Sequence, residues 1–209
     1  MTDIKICGLK DSAALKAAEK AGAHFAGFVF YEKSPRFVAP EEAKSLVTST
    51  NLTTVGLFVD PQDDFLRRVT NIVPLRMIQL HGNETPARVV AVRELTGLPV
   101  IKAIRLATKD DLMAIDSYAR VADWLLFDAK ISGAALPGGM GQNFDWSILK
   151  GFKTLRPWML AGGLDAQNVR EALKILEPNA VDVSSGVESA PGVKDIGKIT
   201  AFIDSVQHA

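Results

Sequence analysis

Cys7 is the only cysteine of this 209-residue chain and closes a short β-branched run, Ile4-Lys5-Ile6-Cys7-Gly8. A lone cysteine is more often a small buried hydrophobe than a base. Two features point the other way: its place at the end of the run, and Lys5 two residues earlier on the same side of an extended chain, where an ammonium favours thiolate. Parity by itself leaves both readings open. Asp128 ends a second apolar run, Trp124-Leu125-Leu126-Phe127, and shares the side of Leu126. It reads either as a solvated strand end or as a proton donor. A base and an acid flanking one substrate is what general acid–base catalysis requires.

Other residues supply binding chemistry. Ala161-Gly162-Gly163-Leu164 and Ser184-Ser185-Gly186-Val187 leave backbone N–H groups uncovered, which makes Gly162, Gly163, Ser185 and Gly186 candidates for holding a phosphate. Two tight turns are the plainer alternative. Arg36 follows the rigid Pro35 and suits a two-pronged grip on a carboxylate, although a loop arginine is more often solvated. Gln79, His81 and Asp182 are further polar candidates for substrate contacts. His24 and His208 are the only other histidines, so no metal-ligand cluster is visible.

These residues need a frame that brings them together. Apolar runs starting at Ile4, Phe25, Thr53, Met77, Pro99, Trp124, Pro157 and Ala180 recur about every 25 residues, the length of one strand–helix unit with short loops. Amphipathic stretches lie between them at 11–21, 40–47, 63–71, 87–96, 109–119 and 166–176, and 194–206 closes the chain. Asp11 and Asp165 fall at N-cap positions, Pro40, Pro61 and Pro86 near helix starts, and Gly22 and Gly97 at C-caps. Eight strands alternating with eight helices predict a single-domain (βα)8 barrel over residues 1–209, near the minimum length for that fold. An open doubly wound sheet fits less well, because no G-x-G-x-x-G follows the first strand. In a barrel the site lies at the C-terminal ends of the strands, where Cys7 and Asp128 face each other across the mouth and the seventh and eighth loops commonly bind phosphate. The long glycine-rich connection 131–143, with Gly133, Gly138, Gly139 and Gly141, reads as a lid.

Lys plus Arg and Asp plus Glu both total 24, so no global field attracts nucleic acid or an anionic membrane. A single cysteine, no long apolar segment and no leader-like N-terminus predict a cytoplasmic protein. The oligomeric state is left open, with a monomer as the working expectation.

The strings KICGL, SPR, VGLFV, IQLHG, IKAIR, LLFDAK, GGMGQNFDW, LAGGL and DVSSGVE follow one another along the whole chain. In this order the chain resembles the phosphoribosylanthranilate isomerase family of tryptophan biosynthesis. Met140 departs from the pattern, where a small hydroxyl residue belongs. The resemblance implies an Amadori rearrangement of a small phosphoribosyl substrate without a cofactor. Asp128 opens the ribose ring as the acid, Cys7 removes the C2′ proton, and Arg36 holds the anthranilate carboxylate. A histidine-pathway aldose–ketose isomerase is the alternative within enzymes, but that family looks built on two aspartates and an internal half-barrel repeat. A non-catalytic phosphosugar-binding barrel would need neither Cys7 nor Asp128.

Overall fold

The computed structural model describes residues 2–106, 108–129 and 146–209; the glycine-rich connection, including Met140, lies outside the described residues. Eight parallel strands close into one barrel in sequence order: β1 (Asp3–Cys7), β2 (Phe25–Val29), β3 (Thr53–Phe58), β4 (Met77–Leu80), β5 (Val100–Leu106), β6 (Trp124–Ala129), β7 (Trp158–Leu160) and β8 (Ala180–Val183). β1 pairs with both β2 and β8, which closes the ring and leaves no edge.

The period of two sets the two cores. Inward residues Phe25, Val55, Met77, Ile101, Ala103, Leu126, Met159, Ala161 and Ala180 fill the barrel. The alternate residues, among them Ile4, Ile6, Phe28, Ile78, Leu80, Leu125 and Phe127, pack outward against the helices. Lys5 and Cys7 therefore point into the barrel, as does Asp128.

The helices are α1 (Ser12–Ala21), α2 (Pro40–Thr48), α3 (Asp63–Ile72), α4 (Pro86–Thr96), α5 (Ile115–Ala119), α6 (Val169–Ile175) and α7 (Ile196–Gln207). The Asp11 carboxylate accepts from the Ala14 N–H at 2.8 Å and caps α1, while Pro40 and Pro86 open α2 and α4. Gly22 ends α1 in the left-handed region at φ 101°, which a side chain would resist.

Three expectations are corrected. Among the described residues there are seven α-helices rather than eight, and the segment after β6 resumes as a 3₁₀ turn at Trp146–Leu149. The stretch after β5 begins as a 3₁₀ turn, Lys109–Ala114, where Thr108 and Asp111 cap each other. Asp165 does not cap α6 directly. Its Oδ1 accepts from the N–H groups of Gln167 and Asn168 at 2.8 and 3.0 Å, and this turn delays the helix to Val169. A two-stranded ribbon that the sequence reading lacked, β9 (Glu188–Ala190) with β10 (Val193–Lys194), precedes α7.

Candidate active site

A cavity of about 750 Å³ opens at the C-terminal ends of the strands. Cys7, Arg36, His81, Asp128, Gly162, Gly163, Asp182, Ser184 and Ser185 all contribute to its wall. Elements far apart in sequence thus deliver eight of the ten predicted site residues to one place. Gln79 and Gly186 are the exceptions. Gln79 is fully buried beneath His81 and does not reach the wall. Gly186 lies against the Leu164 carbonyl, where a Cβ would fall 2.0 Å from the oxygen. It lets the loops after β7 and β8 touch.

Cys7 is 4% exposed and occupies a space that Gly27 on β2 leaves for it; a Cβ on Gly27 would lie 2.9 Å from Sγ. Lys5 favours the thiolate, as expected, but burial outweighs it. Lys5 Nζ donates to Asp182 Oδ1 at 2.8 Å. Burial pushes the Cys7 thiol above its ordinary 9.0; Lys5 and Lys194 pull it down, and Asp182 pushes it further up.

On the other wall, His81 Nε2 stands 3.0 Å from Asp128 Oδ2, and Gln79 Nε2 stands 3.0 Å from His81 Nδ1. His81, Asp128 and Asp182 are 7%, 4% and 7% exposed, so their charges and dipoles act in a nearly dry setting.

Arg36 is not solvated. Its Nε and Nη2 donate to the two oxygens of Glu188, both at 2.8 Å. Gly8, at φ 81°, lets the arginine pass over the end of β1; a Cβ there would meet Arg36 Cδ at 2.7 Å. Lys194 Nζ donates to Glu188 Oε1 at 2.9 Å and to the Ser184 carbonyl at 2.9 Å. Burial raises the Glu188 acid, but Arg36 and Lys194 outweigh it and hold the carboxyl below its ordinary 4.5. Sequence reasoning missed Glu188, Lys194, Ser184 and Gly27. Glu188 and Lys194, six residues apart with no charge between them, carried no signal until the β9–β10 ribbon brought them together.

At the third side, Gly162 and Gly163 adopt φ of 86° and 68°. Among the described residues neither N–H donates to a backbone carbonyl. A 3₁₀ turn, Ser185–Val187, faces them. Among the described residues no group of three or more His, Cys, Asp or Glu stands together as a metal site. An acid with a histidine partner, a thiol near two ammonium groups, and small-residue loops therefore share one concave wall.

Comparison with known proteins gives the same picture. The profile of the N-(5'phosphoribosyl)anthranilate (PRA) isomerase family matches residues 4–205. The N-(5'-phosphoribosyl)anthranilate isomerase of Paracoccus denitrificans is 54% identical over 203 residues, covering 96% of this chain and 94% of the relative. That of Paramagnetospirillum magneticum is 52% identical over 208 residues, covering 98% and 97%. The crystal structure of phosphoribosyl anthranilate isomerase from Thermotoga maritima superposes with a TM-score of 0.91 at 34% identity, covering 100% of both chains. A phosphoribosyl anthranilate isomerase in complex with reduced 1-(o-carboxyphenylamino)-1-deoxyribulose 5-phosphate superposes with a TM-score of 0.88 at 32% identity over 100% of both chains.

Proposed function

The chain belongs to the N-(5'-phosphoribosyl)anthranilate isomerase family, whose aldose–ketose isomerisation it carries out in tryptophan biosynthesis, and we propose that Asp128 and Cys7 are its acid and base. The observation that carries this assignment is that one cavity is walled by both, with the Gly162-Gly163 and Ser184-Ser185 loops beside them.

In the proposed sequence Asp128 passes its proton to the ribose ring oxygen. The bond from C1′ to that oxygen breaks, its electron pair stays on the oxygen, and the anilino nitrogen lone pair forms an iminium with C1′. The minor thiolate form of Cys7, favoured by Lys5 and Lys194, then takes the C2′ proton. The released pair becomes the C1′–C2′ double bond and the iminium pair returns to nitrogen, leaving an enolamine. Ketonisation adds a proton at C1′ and releases the one on the C2′ hydroxyl. No cofactor enters these steps.

The N–H groups of Gly162, Gly163 and Ser185 suit the phosphate, with Gly186 holding their loops together. Arg36 suits the anthranilate carboxylate, and His81 and Asp182 the ribosyl portion. Every one of these side chains comes from one chain, so the proposed chemistry needs no second copy. No helix among the described residues is long and apolar enough to cross a membrane; a cytoplasmic enzyme is the location we propose.

Following substrate fluorescence with purified protein tests the assignment. Cys7→Ser is expected to lose about 10²–10⁴ in turnover while the melting temperature holds, because a hydroxyl is a far poorer base. Inorganic sulfate is expected to compete with substrate. Near-normal turnover in Cys7→Ser would remove the thiol from the mechanism, and absence of competition would remove the glycine and serine loops as the phosphate site.

A further inference from the structure

His81 and Asp128 meet at the cavity wall, but the residue that decides how they meet lies outside it. Gln79 and His81 are two residues apart on and just beyond β4, so both point into the barrel. Gln79 is fully buried, and its Nε2 stands 3.0 Å from His81 Nδ1. An amide nitrogen only donates, so Nδ1 accepts and the proton of a neutral ring resides on Nε2. From there it is donated to Asp128 Oδ2, 3.0 Å away.

The opposite end of the same amide is unusual. Gln79 Oε1 is buried and has no hydrogen-bond partner among the described residues. Buried polar atoms are nearly always paired, and one left unpaired calls for a reason. Packing does not supply it, since an apolar side chain of similar shape would leave no orphan oxygen. The donor at the other end does, because it has one acceptor, and that acceptor is the ring nitrogen that fixes the tautomer.

We propose that Gln79 is a positioning residue for the isomerisation: it holds His81 with its proton on Nε2, so that the imidazole donates to Asp128 while the aspartic acid's own proton stays on Oδ1 for delivery to substrate. This rests on the assignment of Asp128 as the acid. With the opposite tautomer, the Nε2 lone pair would face the carboxyl and draw its proton to Oδ2, towards the histidine and away from the ribose. With the Nε2–H tautomer, the bond to Oδ2 strengthens as Asp128 becomes a carboxylate, since hydrogen bonds to an ionised acceptor are the stronger ones. An interaction that grows along the reaction accelerates it, whereas one of constant strength does not. Gln79 touches neither substrate nor the cavity and acts only through the ring.

The test combines a spectrum with a double-variant comparison in the full-length protein. Nitrogen-15 NMR of the His81 ring, assigned through its loss in His81→Asn, is expected to report the Nε2–H tautomer. Gln79→Glu replaces the donor with a carboxylate that accepts from Nδ1–H, and the spectrum is expected to show Nδ1 protonated. Turnover should then fall about 10- to 100-fold, the scale for partners that orient a functional imidazole, with KM within about twofold. In an Asp128→Asn background the same change should cost nothing further. Gln79→Met, which keeps the shape and brings no charge, serves if the glutamate variant fails to fold; a mixed tautomer and an intermediate loss of kcat are expected. A wild-type ring protonated on Nδ1 overturns the proposal. So does an equal loss from Gln79→Glu with and without Asp128, or a loss confined to KM. Failure of the acid assignment is read separately, from near-normal turnover of Asp128→Asn alone.

Discussion

Two buried lysine–carboxylate pairs sit on opposite sides of the barrel wall. Inside, Lys5 of β1 meets Asp182 of β8 at 2.8 Å; outside, Lys102 of β5 meets Glu84, in the loop before α4, at the same 2.8 Å. All four side chains are nearly sealed from solvent. Their surroundings differ. Lys102 Nζ also donates to the Gly82 carbonyl at 2.9 Å, and Glu84 Oε1 accepts from the N–H groups of Asp60 and Gly82. That pair is a closed knot tying the ends of β3 and β4 to β5. Burial pulls the Lys102 ammonium below its ordinary 10.5, and Glu84 only partly offsets it. Around Lys5 burial also pulls downward, but Asp182 and the Cys7 thiol outweigh it and the ammonium ends above 10.5. The inner pair borders the Cys7 thiol and the cavity wall; the outer borders carbonyls, a loop and the Tyr118 ring, 5.7 Å from Lys102 Nζ. One geometry therefore serves two ends, and only its neighbours tell which.

Breaking each pair separates these roles. The largest combined effect is expected from Lys5→Met. Removing one partner of a buried pair typically costs about 3–5 kcal/mol, and here it also strips the thiol of a nearby cation. Lys5 pulls the thiol down, so its loss should move the limb of the kcat/KM profile that Cys7 sets to higher pH and lower turnover at neutral pH. Denaturant unfolding and a pH–rate profile on one preparation read both; an unmoved limb would say that Lys5 is structural only. The sign for wild-type stability follows from the same shifts. The raised Lys5 and Cys7 favour their protonated forms in the folded state, so their contribution is complete below the unfolded values and is lost as pH climbs above about 9–10.

Lys102→Met should cost a similar 3–5 kcal/mol while leaving kcat of the folded enzyme within about twofold. A large fall in kcat at full folding would mean the outer knot also positions His81, which follows β4 directly. The smallest effect is expected at Arg36. Arg36→Met removes a charge-assisted contact worth about 1.5–3 kcal/mol, read as weaker binding of a reduced product analogue. Glu188 keeps Lys194 as a partner, so the melting temperature should shift little. Free phosphate should bind as before; equal losses for both ligands would assign Arg36 to the phosphate or to the fold.

The comparison also explains what could be read in advance. Strand parity put Lys5, Cys7, Asp128 and Asp182 inside the barrel, because the alternation of Ile4 and Ile6, or of Leu125 and Phe127, leaves the opposite side no other neighbour. The same parity placed Gln79 inside but not how deep: it says which way a side chain points, not whether another residue, here His81, stands between it and the ligand. At Gly186 a glycine could serve a ligand's approach or a backbone's, and only the fold shows that the Leu164 carbonyl, 2.0 Å from where a Cβ would lie, requires it.

The sequence by itself determined the spacing of the strands, most of the helix caps, the barrel, and the strand-end positions of Asp128 and Cys7. These follow from periodicities of two and 3.6 and from local hydrogen bonds, which a residue and its near neighbours decide. Tertiary structure alone decided the partners. Lys5 chose Asp182, 177 residues away, and Arg36 chose Glu188, 152 residues away. It also decided the state of the thiol, for a nearby lysine promised a thiolate while burial and the pairing of that lysine pushed the thiol upward. Ionisation depends on solvent exclusion and on every charge within a few ångströms, and neither quantity exists until the ring has closed.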